Sequence, residues 1–211
     1  QAELGLGQVD LVAAAAHESA GHEGGDDHAE DAGHHGAPTR PVVTCTNWFE
    51  SGENSVSVGT MVDGMSVFML IVVTLISLLV HVYSTDYVHG DRRYTHYFAF
   101  LSLFTASMLF FVLAENTLQM IVGWELVGVC SFALIGHWWE EKPNSDAALK
   151  AFLTNRVGDV GLLIGMIILC FAADRSFSVL DINVLAASGE IGRGLLLAAS
   201  LCLIAAVMSK S

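Results

Sequence analysis

The chain has 211 residues, of which 53% are hydrophobic and 15% charged, and its formal net charge is -13 at pH 7. With a mean hydropathy of +0.55, this composition is atypical of soluble globular proteins and indicates a membrane protein. Only nine Lys and Arg residues are present, which excludes nucleic acid as a partner because phosphate backbones are bound by clustered basic side chains.

Residues 1–60 form the first predicted unit, an acidic and histidine-rich loop outside the membrane. Residues 1–55 hold ten acids against one base, and so carry most of the net charge. Residues 17–41 contain almost no large apolar side chains, and such a segment cannot bury enough surface to offset the entropy of ordering. We therefore predict disorder over 17–41. A basic region followed by an apolar one is lacking at the start of the chain, so no signal peptide is predicted.

Residues 61–211 form the second unit, a predicted transmembrane bundle. A bilayer core of about 30 Å is crossed by about 20 apolar residues at about 1.5 Å per residue. Five stretches approach or meet that length, and we predict helices over 62–83, 96–114, 117–138, 148–173 and 193–211. In the fourth, Gly161 and Gly165 have a spacing that lets another helix approach closely. The last runs to the final residue without a capping signal, which suggests an internal piece of a longer protein.

The connecting loops orient this bundle through the positive-inside rule. Loop 84–95 holds Arg92 and Arg93 and loop 139–147 holds Lys142, whereas the turn at 114–116 has no base and loop 174–192 holds one base, Arg175, among three acids. Cytoplasmic loops carry an excess of Lys and Arg. We therefore expect loops 84–95 and 139–147 in the cytoplasm and the acidic N-terminal loop on the outer face.

Charged residues inside the apolar stretches are the candidate functional residues. Glu125 lies about 12 Å along the third helix, where a carboxylate is costly and by default marks a functional pathway. Lys210 follows an uncharged run and is the natural partner of Glu125, although a lysine near a helix end can also extend to the interface. Arg156 and Asp159 are three residues apart and share a helix face. They could form an interfacial salt bridge, or a charge pair that opens when a neighbouring carboxylate changes protonation.

These four residues are of the types from which proton relays are built, because the proton affinity of a buried carboxylate or amine depends on its distance from other charges. Other kinds of site find no support. Nucleotide-binding, hydrolase and CxxC motifs are lacking, and the membrane histidines lie near helix ends rather than opposite one another. Five histidines fit a solvated loop of biased composition better than a metal site: His17, His22, His28, His34 and His35. We expect neither a cofactor nor a metal in this chain.

The segment GWELVGVCSFALIGHWWEEKPNSDAALKAFLTNRVGDVG at residues 123–161 resembles the large antiporter-like subunits of respiratory complex I, of the chain 5 or bacterial subunit L type. The stretches VDGMSVFMLIVV, HVYS, YFAFLSLFTASM and MSKS fit the same family, so the resemblance covers residues 47–211. Residues 17–41 depart from the family's usual loop. The resemblance implies an all-α, polytopic bundle with two inverted five-helix repeats. This chain would hold helices three to six and part of seven, in the first repeat.

The resemblance also implies roles for individual residues. Glu125 and Lys210 match the Glu/Lys pair of the fifth and seventh helices that is thought to drive proton transfer, whereas Arg156 and Asp159 match sixth-helix positions with a modulating or gating role. The implied protein is a proton-translocating subunit of NADH:quinone oxidoreductase in the bacterial cell membrane. It would contain no flavin, iron–sulfur cluster or quinone site. Its implied partners are other complex I membrane subunits, especially a neighbouring antiporter-like subunit, together with the lipid bilayer and protons.

Two alternatives stay open. The large subunit of multisubunit sodium/proton antiporters shares the fold and the membrane Glu and Lys, although the wording GWELVGVCS and TNRVGDVG favours complex I. A divalent-metal transporter with a His-rich loop is more distant. It would need His and Asp ligands inside the helices, whereas the charges in the middle of these helices are Glu, Lys, Arg and Asp.

Overall fold

The computed structural model describes residues 41–51 and 54–210. The five histidines of the N-terminal segment, and all but the last residue of the stretch predicted to be disordered, lie outside the described residues. The described part consists of strands β1 (Val42–Ser51) and β2 (Asn54–Val62) and helices α1 (Gly64–Tyr87), α2 (Tyr94–Val112), α3 (Thr117–Ile135), α4 (Lys142–Ala172), α5 (Val179–Ser188) and α6 (Arg193–Lys210).

Five of these helices, α1 to α4 and α6, are long and apolar enough to cross a membrane. This finding confirms the all-α transmembrane fold class. The observed ends differ from the predicted ones where polar residues enter a helix. The helix predicted over 148–173 begins earlier, at Lys142, because Pro143 is well tolerated in a first helical turn. The helix predicted over 117–138 ends at Ile135, with Gly136 as its C-cap.

The β-hairpin lies in the segment that the sequence indicated as a loop. Strands β1 and β2 pair antiparallel, from Val42 opposite Val62 to Ser51 opposite Asn54. Strand β2 docks on the turn between α2 and α3, where the Met61 N–H donates to the Leu113 carbonyl at 3.0 Å. The Ser57 hydroxyl also donates to the buried carboxylate of Glu115 at 2.9 Å.

Helix α5 is a second element that lay within a predicted loop, 174–192. Ser178 caps its start, and Gly189 ends it with a φ of +81°, a left-handed conformation that glycine adopts at little cost. The chain leading into α5 packs on the α2–α3 turn, since the Thr117 N–H donates to the Phe177 carbonyl at 2.8 Å. The hairpin, this turn and α5 therefore share one end of the bundle. Loops 88–93 and 136–141 lie at the other end.

Close packing of α6 on α4 determines where the end of α6 lies. A Cβ atom added to Gly161 would be 2.8 Å from the Cys202 carbonyl oxygen, and one added to Gly158 would overlap the side chain of Ser209. The small residues of α4 thus allow the two backbones to approach, and α6 is the partner helix that the Gly161/Gly165 spacing predicted. As a result, Lys210 is brought against the middle of α3.

Candidate functional site

The site is centred on α3, whose position depends on its N-cap. The Asn116 side chain accepts a hydrogen bond from the Gln119 N–H at 2.7 Å, which satisfies one of the free donors of the first turn. Glu125 follows two turns later, about 12 Å along the helix. Its carboxylate forms an ion pair with Arg156 of α4, and the side chains are 28% and 35% exposed, respectively. The predicted intramembrane acid therefore has a cationic partner on the neighbouring helix.

Arg156 bridges two carboxylates. Its Nη1 atom, which pairs with Glu125, also lies 3.4 Å from Oδ2 of Asp159, one turn along α4. The guanidinium lies over the ring of Phe152, with 4.7 Å between Cζ and the ring centroid. Asp159 is only 8% exposed and is the more buried of the two acids. Arg156 contacts the middle of α3 through Glu125, so the Arg156/Asp159 pair lies between α3 and α4.

Lys210 also reaches α3, but through a neutral residue. Its Nζ donates to the Trp124 carbonyl at 2.6 Å and lies 4.1 Å from the centroid of the Trp124 ring. The indole Nε1–H of Trp124 donates in turn to Oδ1 of Asp159, also at 2.6 Å. The side chain of Lys210 therefore points towards α3. Trp124 was not predicted as a site residue, and its only signal in the sequence is its place next to Glu125.

The structure brings the four predicted residues together, but in an order that the sequence did not indicate. Within the described residues, Glu125 and Lys210 share no ion pair; Arg156 and Asp159 stand between them. The contacts run from Glu125 to Arg156, then to Asp159, and through Trp124 to Lys210. Two acids and two bases make the set formally neutral, which is how charges are tolerated inside a bundle.

A second polar cluster ties loops 88–93 and 136–141 together at the opposite end from the hairpin. Asp91 accepts hydrogen bonds from the Arg93 N–H at 2.7 Å and the Trp138 indole at 2.8 Å, and lies 3.3 Å from the His137 ring. These hydrogen bonds hold the pKa of Asp91 below its ordinary value of 3.8, and the one from the Arg93 backbone has the largest effect. Arg93 also forms an ion pair with Glu140. The cluster fixes the start of α2 against the end of α3.

Two family models match the chain, one after the other. The model for the N-terminus of NADH-ubiquinone oxidoreductase (complex I) chain 5 matches residues 48–98. The model for the transmembrane region of NADH:quinone oxidoreductase and Mrp antiporter subunits matches residues 114–211, which contain the whole charged cluster. Together they cover most of the chain, and the gap between them, residues 99–113, includes most of α2.

Individual relatives agree with these models. The chain is 45% identical to NAD(P)H-quinone oxidoreductase chain 5 of Synechocystis over 125 residues, which is 59% of this chain and 18% of that relative. It is 46% identical to the chloroplastic subunit 5 of Angiopteris evecta over 57% of this chain and 16% of the relative. It is 47% identical to the chloroplastic subunit 5 of Mesostigma viride over 57% of this chain and 18% of the relative. The chain thus spans less than a fifth of these relatives, and on both family models it belongs to the antiporter-like membrane subunits of the complex I chain 5 family.

Proposed function

We propose that the chain is part of a proton-translocating membrane subunit of NADH:quinone oxidoreductase, and that the charged cluster is a section of its proton path. One observation carries the proposal: Glu125, Arg156, Asp159 and Lys210 come from three membrane helices and meet in one connected cluster. Such charges are expensive inside a membrane protein and mark ion or proton pathways. The names of the relatives supply the link to quinone reduction.

Charge balance gives the cluster a mechanism. Protonation of Glu125 removes the charge that holds Arg156 on α3, so Arg156 is left to Asp159 alone and the cluster carries one excess positive charge. An uncompensated charge is costly in surroundings of low dielectric constant. Release of a proton from Lys210 to the next group along the path restores neutrality. Proton uptake at one end of the cluster is thereby coupled to proton release at the other.

The driving energy would come from quinone reduction elsewhere in the complex. We propose that this chain carries no flavin, iron–sulfur cluster or quinone site and moves protons while other subunits move electrons. Its partners would be other membrane subunits of the complex, especially a neighbouring antiporter-like subunit. We place it in a bacterial cell membrane. The hairpin end would face outward, because Arg92 and Arg93 lie in the loop at the opposite end and basic loops favour the cytoplasmic side.

A sodium/proton antiporter subunit is the second candidate, since the description of the matching transmembrane model includes Mrp antiporters. The relatives with 45–47% identity are named as quinone oxidoreductase subunits, which favours the first candidate. Sodium dependence distinguishes the two: an antiporter subunit exchanges Na⁺ for protons in vesicles without any electron donor, whereas the complex I subunit requires NADH and quinone.

The experiment uses the full-length protein in its complex, with Glu125→Gln as the test variant and Glu190→Gln as the control. Glu190 is an exposed acid in the loop before α6, so its replacement makes the same chemical change outside the cluster. Proton pumping and NADH:quinone activity are measured in inverted membrane vesicles. We expect Glu125→Gln to abolish pumping in an assembled complex and the control to pump normally. Normal pumping by Glu125→Gln would show that Glu125 is a structural acid.

A further inference from the structure

We propose that Trp124 is a positioning residue of the relay. Its indole N–H holds the side chain of Asp159, a residue of α4, against α3. This contact keeps the Glu125/Arg156 pair electrically connected to Lys210. The inference rests on the proposed function and concerns how charge displacement travels through the cluster. A neutral aromatic side chain would thereby keep the Glu125/Arg156 pair in contact with Asp159 and Lys210.

The two oxygens of Asp159 are held unequally. Oδ1 accepts the indole N–H of Trp124 at 2.6 Å, a short hydrogen bond, whereas Oδ2 lies 3.4 Å from Arg156 Nη1, at the long end of the hydrogen-bonding range. Asp159 and Arg156 share a face of α4, so a free Asp159 would close onto the guanidinium. The indole prevents this closure. Arg156 therefore remains available to Glu125.

Trp124 also holds Lys210, through groups that cannot titrate. The Trp124 carbonyl accepts from Nζ at 2.6 Å, and the ring face lies 4.1 Å from the same atom. A carbonyl dipole and an aromatic face both favour a cation without neutralising it. Lys210 thus stays beside Asp159 without forming a direct ion pair with it. One residue positions both the acid and the base.

Loss of the indole N–H should disconnect the two ends of the cluster. Asp159 rotates toward Arg156, Arg156 is drawn away from Glu125, and protonation of Glu125 no longer changes the charge felt by Lys210. Trp124→Phe removes the N–H but retains the backbone carbonyl and an aromatic face for Lys210. The ring also keeps its place against Phe111, whose centroid lies 5.7 Å from that of Trp124.

The test compares Trp124→Phe with Trp138→Phe in the full-length protein within its complex. Trp138 also donates its indole N–H to an aspartate, Asp91, but outside the relay. We expect Trp124→Phe to lower the pumping rate by about tenfold, the factor that one hydrogen bond to a charged group is worth. We expect Trp138→Phe to leave pumping unchanged. Assembly is checked by native gel and by electron transfer to an artificial acceptor.

A double variant separates positioning from a general structural effect. If Trp124 acts through Asp159, Trp124→Phe combined with Asp159→Asn should pump no worse than Asp159→Asn alone. Multiplied losses in the double variant, or normal pumping by Trp124→Phe, would overturn the inference. If Trp124→Phe does not assemble, benzothienylalanine at position 124 replaces only the N–H by sulfur and is tested against the same expectations.

The outcome for Glu125→Gln keeps this inference distinct from the proposed function. If Glu125→Gln abolishes pumping and Trp124→Phe does not change it, the relay stands and the role of Trp124 fails. If Glu125→Gln pumps normally, the relay itself fails, whatever Trp124→Phe does.

Discussion

Packing between α4 and α6 should control the relay, and Gly158→Ala tests this dependence. The added Cβ would overlap the side chain of Ser209, so α6 must move outward by at least about 1 Å to reach an ordinary carbon–carbon separation of about 3.5 Å. Lys210 is the next residue, and its Nζ lies 2.6 Å from the Trp124 carbonyl. A shift of about 1 Å takes this distance beyond the range of a hydrogen bond. We expect a destabilisation of about 1–3 kcal/mol, as is usual for an overpacked contact, and loss of pumping.

Two second-site changes distinguish this reasoning from general damage. Ser209→Gly removes the Cβ that blocks the new methyl group, whereas Ser209→Ala removes only the hydroxyl and leaves that Cβ in place. Both changes delete the hydrogen bond from the Ser209 hydroxyl to the Ala206 carbonyl, so they are matched in that respect. In the Gly158→Ala background, we expect Ser209→Gly to restore pumping in vesicles and Ser209→Ala not to restore it. Equal rescue by both, or normal pumping by Gly158→Ala alone, would refute the dependence on helix spacing.

Two further predictions concern the charged clusters. Arg156→Gln should lower the free energy of unfolding by about 3 kcal/mol. This value is the lower end of the cost of breaking a buried ion pair, and we choose the lower end because Glu125 is 28% exposed. Adding Glu125→Gln should recover most of this loss in thermal dissociation of the purified complex, and no recovery would contradict the pairing. Asp91→Asn should lower the dissociation temperature at pH 7. Because folding lowers the pKa of Asp91, its contribution is complete above the ordinary value of 3.8 and is lost as the pH falls below it. An unchanged difference well below pH 3.8 would contradict this assignment.

The membrane helices could be predicted from the sequence because length and apolarity alone decide which segments can cross a bilayer. The hairpin and α5 could not be predicted in this way. Strand β1 follows an acidic segment, and the composition of that segment led us to interpret all of residues 1–60 as a loop. Helix α5 has only ten residues, which is too short to be recognised by the length needed to cross a bilayer. Both elements are held by contacts distant in sequence, such as the hydrogen bond from Met61 to Leu113.

The membership of the charged cluster was predictable, but its order was not. A charge in an apolar run is visible in the sequence because its cost is local. Which charges touch depends on how α3, α4 and α6 pack, and therefore on glycines such as Gly158 that carry no charge. Trp124 was missed for a related reason. An aromatic residue in an apolar helix usually serves packing, and only the position of Asp159 on the facing helix reveals its indole as a donor.

The observed order favours a relay over a closed ion pair. If Glu125 and Lys210 touched directly, a proton could pass between them and neutralise both, and the movement would end there. Arg156 stands between them, and a guanidinium remains protonated in proteins. It can shift between Glu125 and Asp159 and so transmit a change of charge, but it cannot pass a proton on. In the proposed relay, uptake at Glu125 is therefore felt at Lys210 through Asp159 and Trp124 without a proton crossing the cluster by that route.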